Sequence, residues 1–179
     1  SDGFDVLPDP GAAEPEAPEV EPKTQWYAGA GARVFKPEGF QEGYGPALLL
    51  GWKLPYRHAE TPRSSVALEL ELAGTSEPIS RRAPAGRIEA DLRQLGAFLA
   101  LNTFVNDWVF HRVRLGGLVR ESFPSDGGDS TYRGRFAFGV GLGVAPTERL
   151  ELLLDAQTQY FSFPQDLLHE GGVTLRWHF

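Results

Sequence analysis

The stretch Gly172-Val173-Thr174-Leu175-Arg176-Trp177-His178-Phe179 decides how this chain is read. Side chains of a strand alternate between two faces, so Val173, Leu175, Trp177 and Phe179 share one face while Thr174, Arg176 and His178 share the other. A water-soluble sheet would bury the first face and wet the second. Around a closed barrel in a bilayer, the same pattern turns the apolar residues to lipid and the polar ones inside. A membrane is therefore the first environment to test against the rest of the sequence.

At 179 residues there is room for one domain and a short appendage. The absence of cysteine excludes a disulfide framework, a zinc–thiolate site and a lipidated N-terminal cysteine. There is no methionine either, so the first residue is not a translation start, and removal of a signal peptide is the expected reason. No run of about 18 apolar residues exists, which excludes a spanning helix and leaves a closed barrel as the way to cross a bilayer. The 21 glycines and 12 phenylalanines suit such a barrel.

The net charge of −7 is concentrated at one end. Residues 1–23 hold Asp2, Asp5, Asp9, Glu14, Glu16, Glu19 and Glu21 against Lys23, a balance of −6, which leaves −1 for the remainder. Five prolines are interleaved with these acids, and the segment lacks the apolar content to fold alone. Residues 1–25 thus read as an extended, polyproline-like, periplasmic arm, either a tether or a docking segment for a periplasmic or envelope protein. Nothing is basic enough for nucleic-acid binding.

From Gln25 onward, eight strand-like runs are expected: 26–35, 44–54, 65–73, 87–103, 109–120, 132–144, 150–162 and the terminal stretch. The third is the cleanest, with Val66, Leu68, Leu70 and Leu72 alternating with Ala67, Glu69 and Glu71. In the fourth, Ile88, Ala90 and Leu92 oppose Glu89, Asp91 and Arg93, and then the apolar face passes to Leu95, Ala97, Leu99 and Leu101. A bulge at Gln94-Leu95 would produce that shift. A helix over residues 89–101 is the competing reading.

An even strand count keeps both ends of a barrel on one side, with short turns periplasmic and long loops external. Residues 145–149 form a tight turn, whereas 75–86 and 121–131 are longer and rich in Pro, Ser, Gly and Asp. The four tryptophans, Trp26, Trp52, Trp108 and Trp177, then gather at the periplasmic rim, and Phe35, Tyr44, Tyr132, Tyr160 and Phe163 at the opposite one. Residues 55–63 are long for a periplasmic turn. The displayed loops would be 36–43, 75–86, 121–131 and 163–170.

On this alternation the inward face carries Arg33, Lys53, Arg93, Arg112, Arg114, Arg133, Arg135 and Arg176, with Glu69, Glu71, Glu89, Asp91, Glu151 and Asp155. Pairing among these charges offsets much of their desolvation cost. Eight strands enclose room for side chains only, so a solid polar core is expected in place of an open channel.

Other chemistry is thinly represented. Gly139-Val140-Gly141-Leu142-Gly143 lies within a strand pattern and leads to a proline turn, without the helix N-terminus that a phosphate loop needs. Inward glycines that make room for arginine and aromatic side chains explain it. Ser162, Asp166, His169 and Glu170 hold the residue types of a hydrolase triad but read as ordinary loop residues. His58, His111 and His178 are too scattered for a metal site.

Residues 26–179 resemble the small eight-stranded bacterial outer-membrane barrels, such as the OmpA transmembrane domain and the OmpX and Ail group. The likeness rests on the terminal octapeptide and on Phe136-Ala137-Phe138-Gly139-Val140-Gly141-Leu142-Gly143 leading through Pro146 to Leu150-Glu151-Leu152. It implies an all-β fold, an eight-stranded antiparallel up-and-down transmembrane β-barrel with a disordered or extended N-terminal arm, in outer-membrane lipid. It also implies that the terminal strand is read by the barrel-assembly machinery, a role that falls on Gly172, Leu175, Trp177 and Phe179. No shared enzymatic residue set, cofactor or metal comes with the resemblance. Lipid A deacylases have a similar architecture and use a His and a Ser two residues apart in one strand, and no His-x-Ser occurs here. The acidic arm departs from the compact OmpX pattern.

The expected function is therefore non-enzymatic, with a structural, adhesion or partner-binding role. A small channel, a lateral conduit for small apolar molecules and a lipid-modifying enzyme are the alternatives. A soluble lipocalin-type barrel is the non-membrane reading, and an outward Leu/Val/Phe belt argues against it.

Overall fold

A computed structural model describes residues 25–36, 41–55, 63–84, 86–160 and 167–179. Nine strands follow in order: β1 (Trp26–Lys36), β2 (Gly43–Lys53), β3 (Ser65–Gly74), β4 (Ile79–Ala83), β5 (Gly86–Phe104), β6 (Val109–Pro124), β7 (Thr131–Val144), β8 (Leu150–Tyr160) and β9 (Leu167–His178). They pair antiparallel in the order β3-β2-β1-β9-β8-β7-β6-β5-β4, and β3 also pairs with β5. That extra pairing closes β1–β3 and β5–β9 into an eight-stranded barrel. β4 stands outside it, continuing along the edge of β5 that β3 occupies lower down. The acidic arm at 1–24, the middle of the 55–63 connection and Phe163 lie outside the described residues.

The register fixes the shape. From Trp26 the pairing runs through Trp52, Leu68, Leu99, Leu115, Phe138, Thr158 and His169, and returns to β1 at Lys36. One circuit thus climbs 36 − 26 = 10 residues along β1. At 3.3 Å per residue and 4.8 Å between strands, this stagger tilts the strands by roughly 40°. So narrow a barrel has an interior that side chains alone can fill.

Alternation then sorts the faces. Leu48, Leu72, Leu95 and Val119 form one outward row across β2, β3, β5 and β6, each half-exposed. Leu70, Leu99, Leu115, Val140, Leu154 and Leu175 continue the belt. Trp26, Trp108 and Trp177 ring the end that bears the β5–β6 and β7–β8 turns, and Trp26 packs on Trp52 with ring centroids 6.2 Å apart. We call this the turn end, and the opposite one the loop end. At the loop end Tyr44 and Tyr132 point outward.

β5 departs from the expected reading. It is one continuous strand, neither bulged nor helical, and its inward face runs unbroken through Ala90, Leu92, Gln94, Phe98, Ala100, Asn102 and Phe104. Glu89, Asp91 and Arg93 are therefore outward residues and not part of the lumen. The register is constant, and what changes is the medium. Below Arg93 the outer face meets an apolar belt, while above it the same face is polar and the inner face takes the apolar residues, as in a water-soluble sheet.

Phe35 follows the same rule. It is buried inside beside Ala47 and Ala73, with Lys36 exposed on the outside, so it does not belong to the outer aromatic ring. The region above the belt also holds more strand than loop. β4 occupies part of 75–86, and β6 and β7 reach Pro124 and Thr131. There Ile79 of β4 pairs with Ala90 and both are buried.

Candidate functional site

The inward face gathers a charged core. Arg33, Arg112, Arg114, Arg120 and Arg176 are matched by Glu69, Glu71, Glu151, Asp155 and Glu170, all at most 5% exposed. Five cations against five anions leave this group neutral, as burial in low dielectric requires. Every cation in it is arginine, whose planar fork can hold two carboxylate oxygens at once.

Three levels connect. Toward the turn end, Arg176 donates to Glu151 Oε1 and to Asn102 Oδ1, each at 3.0 Å, and its guanidinium lies over the rings of Tyr27 and Phe110. His178 also reaches Glu151. In the middle, Glu69 accepts Arg112 Nη1 and the Tyr27 hydroxyl at 2.8 Å, with Arg114 at 3.6 Å and Arg176 at 3.8 Å. Arg114 forks onto both oxygens of Glu71 at 3.1 Å and stacks 4.0 Å above the Phe98 ring. Arg33 forks onto Asp155 at 3.2 and 2.9 Å. Toward the loop end, Glu170 accepts Arg33 Nε and Arg120 Nη2 and is surrounded by the amides of Gln94, Gln157 and Gln159. The network thus crosses the lumen from wall to wall and leaves its members almost no water-accessible surface.

Small residues make the space. At Gly143 an added Cβ would overlap the Phe110 ring, and at Gly139 it would press on the Arg114 side chain. The glycine run of β7 therefore gives its share of the lumen to arginine and aromatic groups from β6. Gly172 is similar, since a Cβ there would lie 2.7 Å from Arg33 Nη1 and 2.9 Å from Asp155 Oδ1. Its small size is needed by the finished core. Leu175, Trp177 and Phe179 point outward, and the Phe179 amide donates to the Trp26 carbonyl at 3.0 Å.

Of the residues expected inside, Arg33, Glu69, Glu71, Arg112, Arg114, Glu151, Asp155 and Arg176 are brought together. Lys53 shares the inward parity but is half-exposed at the turn end, and Arg133 and Arg135 share it at the loop-end mouth. Glu89, Asp91 and Arg93 stand outside the wall. There Arg93 lies 4.9 Å over the Phe123 ring. Sequence reasoning missed Arg120, Gln94, Asn102, Glu170 and Tyr27 as core members. Arg120 has the parity of Arg112 and Arg114, and Glu170 that of Thr174 and Arg176, so both were legible from alternation alone.

The triad residue types do not assemble on the described strands. His169 is exposed on the outer face, 3.4 Å from Thr158 Oγ1, while its neighbour Glu170 is buried in the lumen. Adjacent strand residues face opposite ways, so the wall separates them. Ser162 and Asp166 lie outside the described residues.

No protein-family model matches the chain, and no curated protein does. Among solved structures, Neisserial surface protein A is similar with a TM-score of 0.65 at 14% identity, covering 86% of this chain and 97% of that one. The outer membrane protein OprG of Pseudomonas aeruginosa gives 0.55 at 10%, covering 87% and 97%. Ail, the attachment invasion locus protein of Yersinia pestis, gives 0.53 at 15%, with the same coverage of each chain. The solved structures that this chain resembles are small eight-stranded outer-membrane barrels, and theirs is the fold it has.

Proposed function

We propose that this chain is an exported, non-enzymatic protein of the bacterial outer membrane, in which a filled barrel is a stiff support for strands and loops displayed to the outside. The supporting observation is the neutral, interlocked set of five arginines and five carboxylates across the lumen. A channel would need those charges apart and hydrated. The turn end is then periplasmic and carries residues 1–25 toward a periplasmic or envelope partner. The loop end, with β4 and the upper parts of β5, β6 and β7, faces outward to bind a partner or to serve the envelope structurally.

Conductance tests this directly. Planar bilayers containing the refolded protein should show no steady ion current. Large stable single-channel steps would replace the support reading with a pore.

The terminal strand supplies a second test. Deleting Phe179 removes an outward aromatic and one backbone bond of the β1–β9 seam, about 1 kcal/mol of net stability. The truncated chain should therefore refold nearly normally in micelles but reach the outer membrane of cells poorly. Normal cellular membrane levels would remove the assembly role from this residue.

A further inference from the structure

The turns at the turn end are built to hold their shape. Asn106 Oδ1 accepts the amides of Trp108 and Val109, and Thr147 Oγ1 accepts that of Leu150, so the β5–β6 and β7–β8 turns are each fixed by one of their own side chains. Both turns then present main-chain carbonyls from set positions. Arg63 reaches both of them. Its Nη1 donates to the Asp107 carbonyl and its Nη2 to the Thr147 carbonyl, 44 and 84 positions away along the chain.

The guanidinium has a third contact, 4.5 Å over the Phe104 ring. Phe104 is buried and packs with Phe110, Ala145 and Leu153. Ser64, next to Arg63, accepts the Phe104 amide at 3.0 Å, which carries the β3–β5 pairing past Ser65 and Asn102 and brings Arg63 level with that ring. Around the barrel, β3 is separated from the β7–β8 turn by β5 and β6 on one side and by β2, β1 and β9 on the other. Arg63 therefore spans the opening instead of joining neighbours, and Thr147 comes within its reach only when β7 and β8 have entered the barrel.

We propose that Arg63 is a closure latch, which fastens the β2–β3 side of the finished barrel to the β5–β6 and β7–β8 turns and retards reopening. Arginine suits this role because its flat fork donates in two directions while its face lies on an aromatic ring, whereas a lysine ammonium is a single point. Such a contact forms after the strands have met, so it is absent from the transition state for folding and acts on the unfolding rate. The latch rests on the barrel and its turns and is independent of what the loop end does.

Folding and unfolding rates of the micelle-refolded protein, followed by tryptophan fluorescence after jumps in urea, test it. Arg63→Ala should unfold about tenfold faster, the combined effect of two hydrogen bonds half in water and one ring contact, and should fold at the wild-type rate. Arg63→Lys should still unfold at least about threefold faster than wild type. Arg149→Ala removes another exposed arginine of the same end and should leave both rates as they are. An unfolding rate of Arg63→Ala within about twofold of wild type, a loss carried by the folding rate, or an equal effect of Arg149→Ala would overturn the latch. Proximity across the opening is read separately. The chain has no cysteine, so Arg63→Cys with Thr147→Cys provides one pair of thiols. A bis-maleimide should join them far more readily in the folded barrel than in urea, and the joined barrel should unfold more slowly than the unjoined one. Failure to join in the folded barrel would overturn the arrangement.

Discussion

Glu69→Ala should lower the unfolding free energy of the micelle-refolded barrel by about 3–5 kcal/mol, the range for breaking a buried ion pair from one side. The Glu69 carboxylate is the meeting point of Arg112, Arg114, Arg176 and the Tyr27 hydroxyl. Its removal takes from Arg112 its close carboxylate and leaves it only Asp155 at 3.9 Å, in a site that water does not reach, while Arg176 keeps Glu151. Urea unfolding followed by tryptophan fluorescence measures the loss. A value below about 1 kcal/mol, typical of an exposed pair, would mean that the network is dispensable. Adding Arg112→Met to Glu69→Ala should restore part of the stability, because an apolar replacement leaves no lone charge behind.

Leu70→Arg should cost about 2–4 kcal/mol in a lipid bilayer, the penalty for arginine on the lipid face near midplane. Leu70 is 53% exposed near the middle of the belt, with Leu50 and Ala97 as its neighbours in register. Arg93→Leu reverses the change at the belt's upper boundary and should shift stability by less than about 0.5 kcal/mol. Refolding both variants into vesicles and comparing urea midpoints checks the pair. Equal effects would place the lipid boundary elsewhere on β5.

Both experiments depend on how much of the barrel alternation alone discloses. Where the outer face meets the belt, polarity and direction coincide, and Glu69, Glu71, Arg112, Arg114, Glu151, Asp155 and Arg176 could be placed inside from the sequence. Above the belt the coincidence reverses. Ala90, Leu92 and Phe35 go in and Glu89, Asp91, Arg93 and Lys36 go out, so a reading that follows polarity slips by one residue and needs a bulge to recover. Pairing also lay beyond the sequence, since the hub at Glu170 draws on β1, β5, β6 and β8 together. β4 is short, and its inner residue Ile79 is buried only because the long β5 continues beneath it.

The seam between β1 and β9 bears on how this protein reaches its final form. Ala30 pairs with Leu175 there, a separation of 175 − 30 = 145 positions, whereas the other barrel contacts join strands that are near neighbours along the chain. The hairpins can form early and locally, but the seam must wait until most of the chain's conformational freedom is lost, so its closure is the slow step. During that interval β1 and β9 are both unpaired edges flanked by apolar side chains, each able to capture the complementary edge of another copy. The danger to this protein is thus one of timing and crowding. Whatever escorts the chain to its membrane has to keep those two edges from meeting the wrong partner first.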